Sequence, residues 1–194
     1  MAAVMEINIV SKRFIEVKEL FNMLKGEFNL EIRINNVEVM DNWEYENIIK
    51  LSNKDNISEY IENKKIVNFE LSIDNEYRAG CQIEKIDDVY LMCLWADTLH
   101  LEYLDSCVIN KENEKIYELI TKEVIKSIDR YKIIITSIGI ETMFVYDKDV
   151  YKIINKSSSV QRWIVPNMYN QKINNYYLEE KYDPCIGIYT KTID

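Results

Sequence analysis

His100-Leu101-Glu102, with Pro184-Cys185 far downstream, is the arrangement in this chain that comes nearest to a known chemistry. Zinc-dependent deamination of nucleobases uses H-x-E followed by P-C-x-x-C: one His and two Cys hold the metal while the Glu moves protons. Three positions after Cys185 stands Ile188, which cannot bind zinc, so the ligand set stops short of a catalytic site. The plainer reading puts His100 and Glu102 on one solvent-facing side of a strand, where residues two apart share a face. His100 is the only histidine, so any Ser-His-Asp or Cys-His mechanism must run through it. Cys107 is its nearest thiol in sequence, and nothing in the spacing brings the two within hydrogen-bond reach. Carboxylates are the remaining route: Asp87-Asp88, Glu102 with Asp105, and Asp147 with Asp149 could ligate Mg²⁺ or act as an acid/base pair. Solvated turns account for such pairs equally well, and none has the Gly or further carboxylates of a Ca²⁺ loop. No catalytic residue, metal ligand or cofactor is therefore assigned.

The acidic residues carry more information as a group. Residues 41–105 hold 15 acidic and 6 basic side chains, residues 1–40 hold 6 and 5, and residues 106–194 hold 12 and 13. The middle of the chain thus carries the whole formal charge of −9. Such a field favours a cationic partner and opposes nucleic acid or an anionic membrane. Glu70, Glu76, Glu84, Asp87 and Asp88 are the candidate contacts for another protein, a basic one. A second candidate surface comes from Trp163, Tyr169, Tyr176 and Tyr177, which sit in an Asn-rich stretch. Trp and Tyr offer large contact area at low entropic cost, as interface hot spots do. The alternative is that these rings pack an irregular C-terminal segment onto the rest of the fold.

The elements that would position these groups follow from periodicity. Val67, Phe69, Leu71 and Ile73 alternate with polar residues, as do Tyr77, Ala79, Cys81 and Ile83. With turns at Asp74-Asn75 and Asp87-Asp88, and an apolar run over Val89–Ala96, they form a meander over about 66–104. The last run is apolar on both faces, the pattern of an interior strand covered on both sides. Before it, a strand over Glu6–Val10 leads to a helix capped by Ser11, with Phe14, Val17, Phe21 and Leu24 on one face and Gly26 at its end. Leu30–Ile34 and Val37–Met40 read as a hairpin turning at Asn35-Asn36. Two short helices follow at Trp43–Leu51 and Ile57–Asn63, the second with Asn56 and Glu59 at capping-box spacing. Asn110 or Lys111 opens the longest helix, striped by Ile116, Leu119, Ile120, Val124, Ile128 and Tyr131. A strand follows over Ile133–Ile140. Val145–Ile154 is ambiguous, Ser157-Ser158-Ser159 reads as loop, and Ile186–Thr190 reads as a final strand.

These patterns imply one α+β domain over 1–194: a largely antiparallel sheet with helices packed on one face, ending in an irregular Tyr/Asn-rich segment from about 157. With 4 Gly against 14 Tyr, turns must rest on Asn and Asp rather than glycine, and no glycine-rich phosphate cradle exists. Met1–Val10 has no apolar core of an export signal, no run of about 18 apolar residues occurs, and the four cysteines lack CxxC spacing. A cytoplasmic location with reduced thiols is expected. Heavy use of Ile, Asn, Lys and Tyr fits the AT-rich codons of a low-GC bacterium or phage. By analogy alone, the combination points to an immunity-type inhibitor that binds a basic bacterial toxin. The alternatives are a small enzyme with a carboxylate- or His100-dependent site, and a homo-oligomeric structural or phage-encoded protein.

Overall fold

A computed structural model describes residues 3–28, 31–52, 56–99, 106, 108–166, 173, 176–183 and 185–192, with side chains for all of these except 23–28 and 180–183. The elements in order are β1 (Val4–Ser11), α1 (Val17–Phe28), β2 (Ile32–Met40), β3 (Ile49–Lys50), α2 (Ile57–Glu62), β4 (Ile66–Ile73), β5 (Tyr77–Ile86) and β6 (Val89–Asp97). They continue with α3 (Glu114–Tyr131), β7 (Ile133–Met143), α4 (Val150–Lys156), β8 (Ser158–Pro166), β9 (Tyr177–Asp183) and β10 (Ile186–Lys191). All strands join one sheet in the order β3-β2-β4-β5-β6-β1-β7-β8-β10-β9. Every recorded pairing is antiparallel. The expected antiparallel sheet is thus present, and it is larger than the meander alone.

The meander forms as the alternation requires. Ile73 pairs with Tyr77 around Asp74-Asn75-Glu76, and Ile86 pairs with Val89 around Asp87-Asp88. The first loop has three residues rather than two, with Asp74 and Asn75 both at positive φ. Among the described residues nine non-glycines adopt positive φ and no glycine does, so Asn, Asp and a few strained residues make the turns there.

β1 is the pivot of the sheet, paired with β6 on one side and β7 on the other. Its odd residues Met5, Ile7 and Ile9 enter the main core with Met92, Leu94, Ala79, Cys81, Val67 and Phe69. Val17, Leu20 and Phe21 of α1, Ile61 of α2, and Tyr117, Ile120 and Val124 of α3 cover that face. Glu19 of α1 ties the two long helices together through Arg130 and the Tyr131 hydroxyl. On the opposite face, Val10 joins Val89, Ile135, Trp163, Val165 and Tyr189 in a second cluster that α4 closes with Ile153 and Ile154. The expectation of helices on one face therefore fails for α4. Strand neighbours point to opposite sides, so the sequence offered apolar surface on both, and one short helix was recruited to the second.

Several local expectations need correction. Ser11 ends β1 and donates to the Arg13 carbonyl instead of capping a helix; α1 begins at Val17 and runs past Gly26. The side chain of Leu24 lies outside the described residues. Asn35-Asn36 makes no hairpin. The pairing of β2 with β4 slips between Ile34 and Asn36, so the extra residue is absorbed as a bulge within one strand. Trp43–Leu51 is not helical, because Asn42 and Asn47 bond to neighbouring backbone and carboxylate groups and fold a tight loop leading into β3. The segment from 157 is not irregular where described, since β8, β9 and β10 occupy most of it.

Candidate functional site

The five candidate carboxylates do not gather into one array. Glu76 lies in the β4–β5 loop, while Asp87 and Asp88 lie at the other end of β5, roughly 30 Å away at strand spacing. Asp87 is paired at 3.0 Å with Lys148, contributed by a different part of the chain. Asp41 and Glu62 are likewise matched with Lys65 and Lys85, and these contacts hold both carboxyls below their usual range. Glu70 and Glu84 do share a surface, both on strand positions opposite the main core. Trp163 is fully buried in the second cluster, which removes it from any surface contact. Tyr177 packs against the same cluster and donates its hydroxyl to the Val160 carbonyl at 2.8 Å. Tyr176 is 54% exposed. Tyr169 lies outside the described residues, as do His100, Glu102, Asp105 and Cys107. Asp147 and Asp149 serve α4: Asp149 caps its first turn through the Tyr151 amide, and Asp147 pairs with Lys156.

What the fold assembles instead is an open depression on the face away from α1 and α3, over β5, β6, β1 and the end of β7. It is open to solvent and is lined by Val4, Glu6, Gln82, Cys93, Trp95, Glu141 and Thr142. Register explains the assembly. Glu6 lies directly across from Trp95 on β6 and from Gly139 on β7; Trp95 in turn lies across from Gly80. A methyl group on Gly80 would sit 2.4 Å from the Trp95 indole. The bare glycine is what lets that ring settle onto the sheet.

A polar network holds the β7 side. The pairing of β7 with β8 is irregular between Gly139 and Met143, and Glu141 stands at φ 46, a costly value for a residue with a side chain. Gln161 fills the space over Gly139 and accepts from the Ile140 amide at 2.7 Å. The bulge turns Thr142 back toward β1, where its hydroxyl donates to Glu6 at 2.5 Å and accepts from Asn8 at 3.0 Å. Asn8 also donates to Ser137 at 3.1 Å. Asn8, Ser137 and Gln161 are all buried, and such bulges recur where a strand must re-aim a side chain.

The electrostatics limit the chemistry. Burial pushes the Glu6 carboxyl above its usual range; Thr142 pulls it back through hydroxyl and amide, and the Glu141 charge adds to the rise. The Cys93 thiol is pushed up to about 12 by burial and by Glu6, so it stays protonated at neutral pH and is no nucleophile. Burial also raises Glu84, an effect that the Trp43 side chain beside it opposes. Trp43 belongs to the tight loop, where it and Tyr45 are 47% and 58% exposed. The outer face therefore carries two pairings of an acid with a tryptophan, Glu6 with Trp95 and Glu84 with Trp43. Gly80 and Glu84 are separated by roughly 13 Å along β5. Among the described residues no group of three or more His, Cys, Asp or Glu side chains could hold a metal ion. Nor is any described helix long and apolar enough to cross a membrane.

Sequence reasoning passed over Glu6, Trp95, Glu141 and Thr142. One signal was readable: Glu6 and Asn8 interrupt an otherwise apolar first strand. Their convergence with β6 and β7 depends on pairings more than 80 residues apart. No family model, curated protein or solved structure matches the chain.

Proposed function

We propose that this chain is a cytoplasmic protein-binding module, an immunity-type inhibitor that occupies the cationic surface of a basic bacterial toxin. The observation that carries the reading is the outer sheet face, where Glu6, Glu70, Glu84 and Glu141 lie around Trp95 and Trp43. Carboxylates steer and orient a basic protein, and the tryptophans supply the desolvated contact area that carboxylates alone lack. The thiol beside Glu6 is held protonated and offers no nucleophile. A small enzyme with Glu6 as proton donor is the second reading, favoured by the raised carboxyl beside an open depression.

The test is capture from an extract of the organism that encodes the chain, using the wild type and a Glu70→Lys/Glu84→Lys variant of unchanged melting temperature. The expected product is a basic protein that the wild type retains and the variant loses. Association of the purified pair should slow by about tenfold or more as salt shortens the screening length from ~30 Å toward ~8 Å. Equal capture by both chains removes the outer face as the binding surface.

A further inference from the structure

We propose that the open depression over β5, β6, β1 and β7 is a shallow socket for one arginine side chain of the basic partner, its guanidinium against the Trp95 indole and its charge met by Glu6 and Glu141. The inference rests on the partner being basic, and it adds the particular group that enters. Asp41, Glu62, Asp87, Glu118 and Asp147 each have a lysine or arginine of this chain at hand. Glu6 and Glu141, like Glu70 and Glu84, have none among the described residues; what sets these two apart is that they converge on one depression and that Glu6 is partly buried. An acid that is desolvated and left without a counter-ion costs stability, and a cation from outside would offset that cost.

The shape and lining select the cation. The depression is open to solvent, so a long side chain can lie along it against Trp95. Guanidinium is planar, weakly hydrated and able to stack on an aromatic ring while its edges donate to separate acceptors. Here those acceptors are the two carboxylates and the Gln82 amide oxygen. Ammonium is compact and strongly hydrated, and cannot stack flat on the indole in the same way. The surroundings are built to hold the acceptors still: Gly80 seats Trp95, and Asn8 with Thr142 fixes Glu6.

The protein's 3 tryptophans give separate indole N–H signals in a ¹H–¹⁵N correlation spectrum, and Trp95→Phe assigns the one that matters. The probes are N-acetylarginine methylamide, its lysine counterpart, the neutral N-acetylcitrulline methylamide, and a hexa-arginine peptide. The expected result is a Trp95 shift that saturates with the arginine probe, is weaker with lysine and is absent with citrulline. Glu6→Gln and Glu141→Gln should each weaken binding roughly tenfold, the loss of one charge-assisted contact. Glu141 is exposed, so its variant keeps the test valid if Glu6→Gln disturbs folding. An unmoved Trp95 signal, or equal response to citrulline or to lysine, overturns the socket. Hexa-arginine that shifts the Glu70 and Glu84 amides but not Trp95 overturns it while leaving the acidic-face reading standing. Hexa-arginine that shifts none of these signals counts against both.

Discussion

Glu6 is a residue whose burial works against stability at neutral pH. Its carboxyl titrates above the ordinary value because burial disfavours the charged form. The native state therefore binds that proton more tightly than the unfolded chain does, and the stabilisation is complete below the unfolded value near 4.5. It is lost as pH rises through the elevated native value. Glu6→Gln should accordingly melt higher than the wild type at pH 7, and the gap should close as pH falls toward about 4. Thermal unfolding at the two pH values measures it; a variant that melts lower at pH 7 would contradict the burial cost. Gly80 is the other residue with a defined penalty. Gly80→Ala must push the Trp95 indole away from contact at 2.4 Å, which should cost about 1–3 kcal/mol in denaturant and alter near-ultraviolet circular dichroism.

Among the elements, β8 is fastened to α3 by a buried cation. Arg162 donates to Glu118 at 2.6 Å, to Thr121 at 3.1 Å and to Thr190 at 3.1 Å, with its side chain only 3% exposed. Glu118→Ala should destabilise by about 1–2 kcal/mol in urea, since the arginine it pairs with is buried while Glu118 itself is 46% exposed and partly screened by solvent. Removing the exposed Asp87–Lys148 pair through Asp87→Asn should change stability by less than about 0.5 kcal/mol. The elements most legible in the sequence were β4, β5 and β6, because period-two alternation and adjacent Asp/Asn turns agree with one another there. Asn35-Asn36 was ambiguous on physical grounds, since an Asn pair suits a bulge as well as a turn. Trp43–Leu51 has helix-like apolar spacing, yet Asn42 and Asn47 outcompete the helix with their own side-chain bonds. Ser157-Ser158-Ser159 looked like loop, but Ser157 bonds the Val145 amide and β8 starts immediately after it. Trp163 was read as a surface hot spot because residue type alone does not say which side of a strand faces a core.

On the scale of the whole molecule, charge that is contiguous along the chain does not remain so in space. The acids of residues 41–105 divide among hairpin ends, pairs with lysine, and the outer sheet face. Net charge could therefore indicate the sign of a partner but not where it sits. The site itself is assembled from β1, β5, β6 and β7, and only the register of a sheet that spans the chain brings them together.

The central place of β1 also bears on how the protein is made. Val4 finds Asp97 and Met5 finds Ile140, so an emerging polypeptide carries its first strand without either neighbour until much of the chain has left the ribosome. Closing such distant pairings is slow and leaves apolar edges open to other chains meanwhile. Refolding should be correspondingly slow, with aggregation that rises with concentration, and it is the insertion of β1 between β6 and β7 that should end the vulnerable interval.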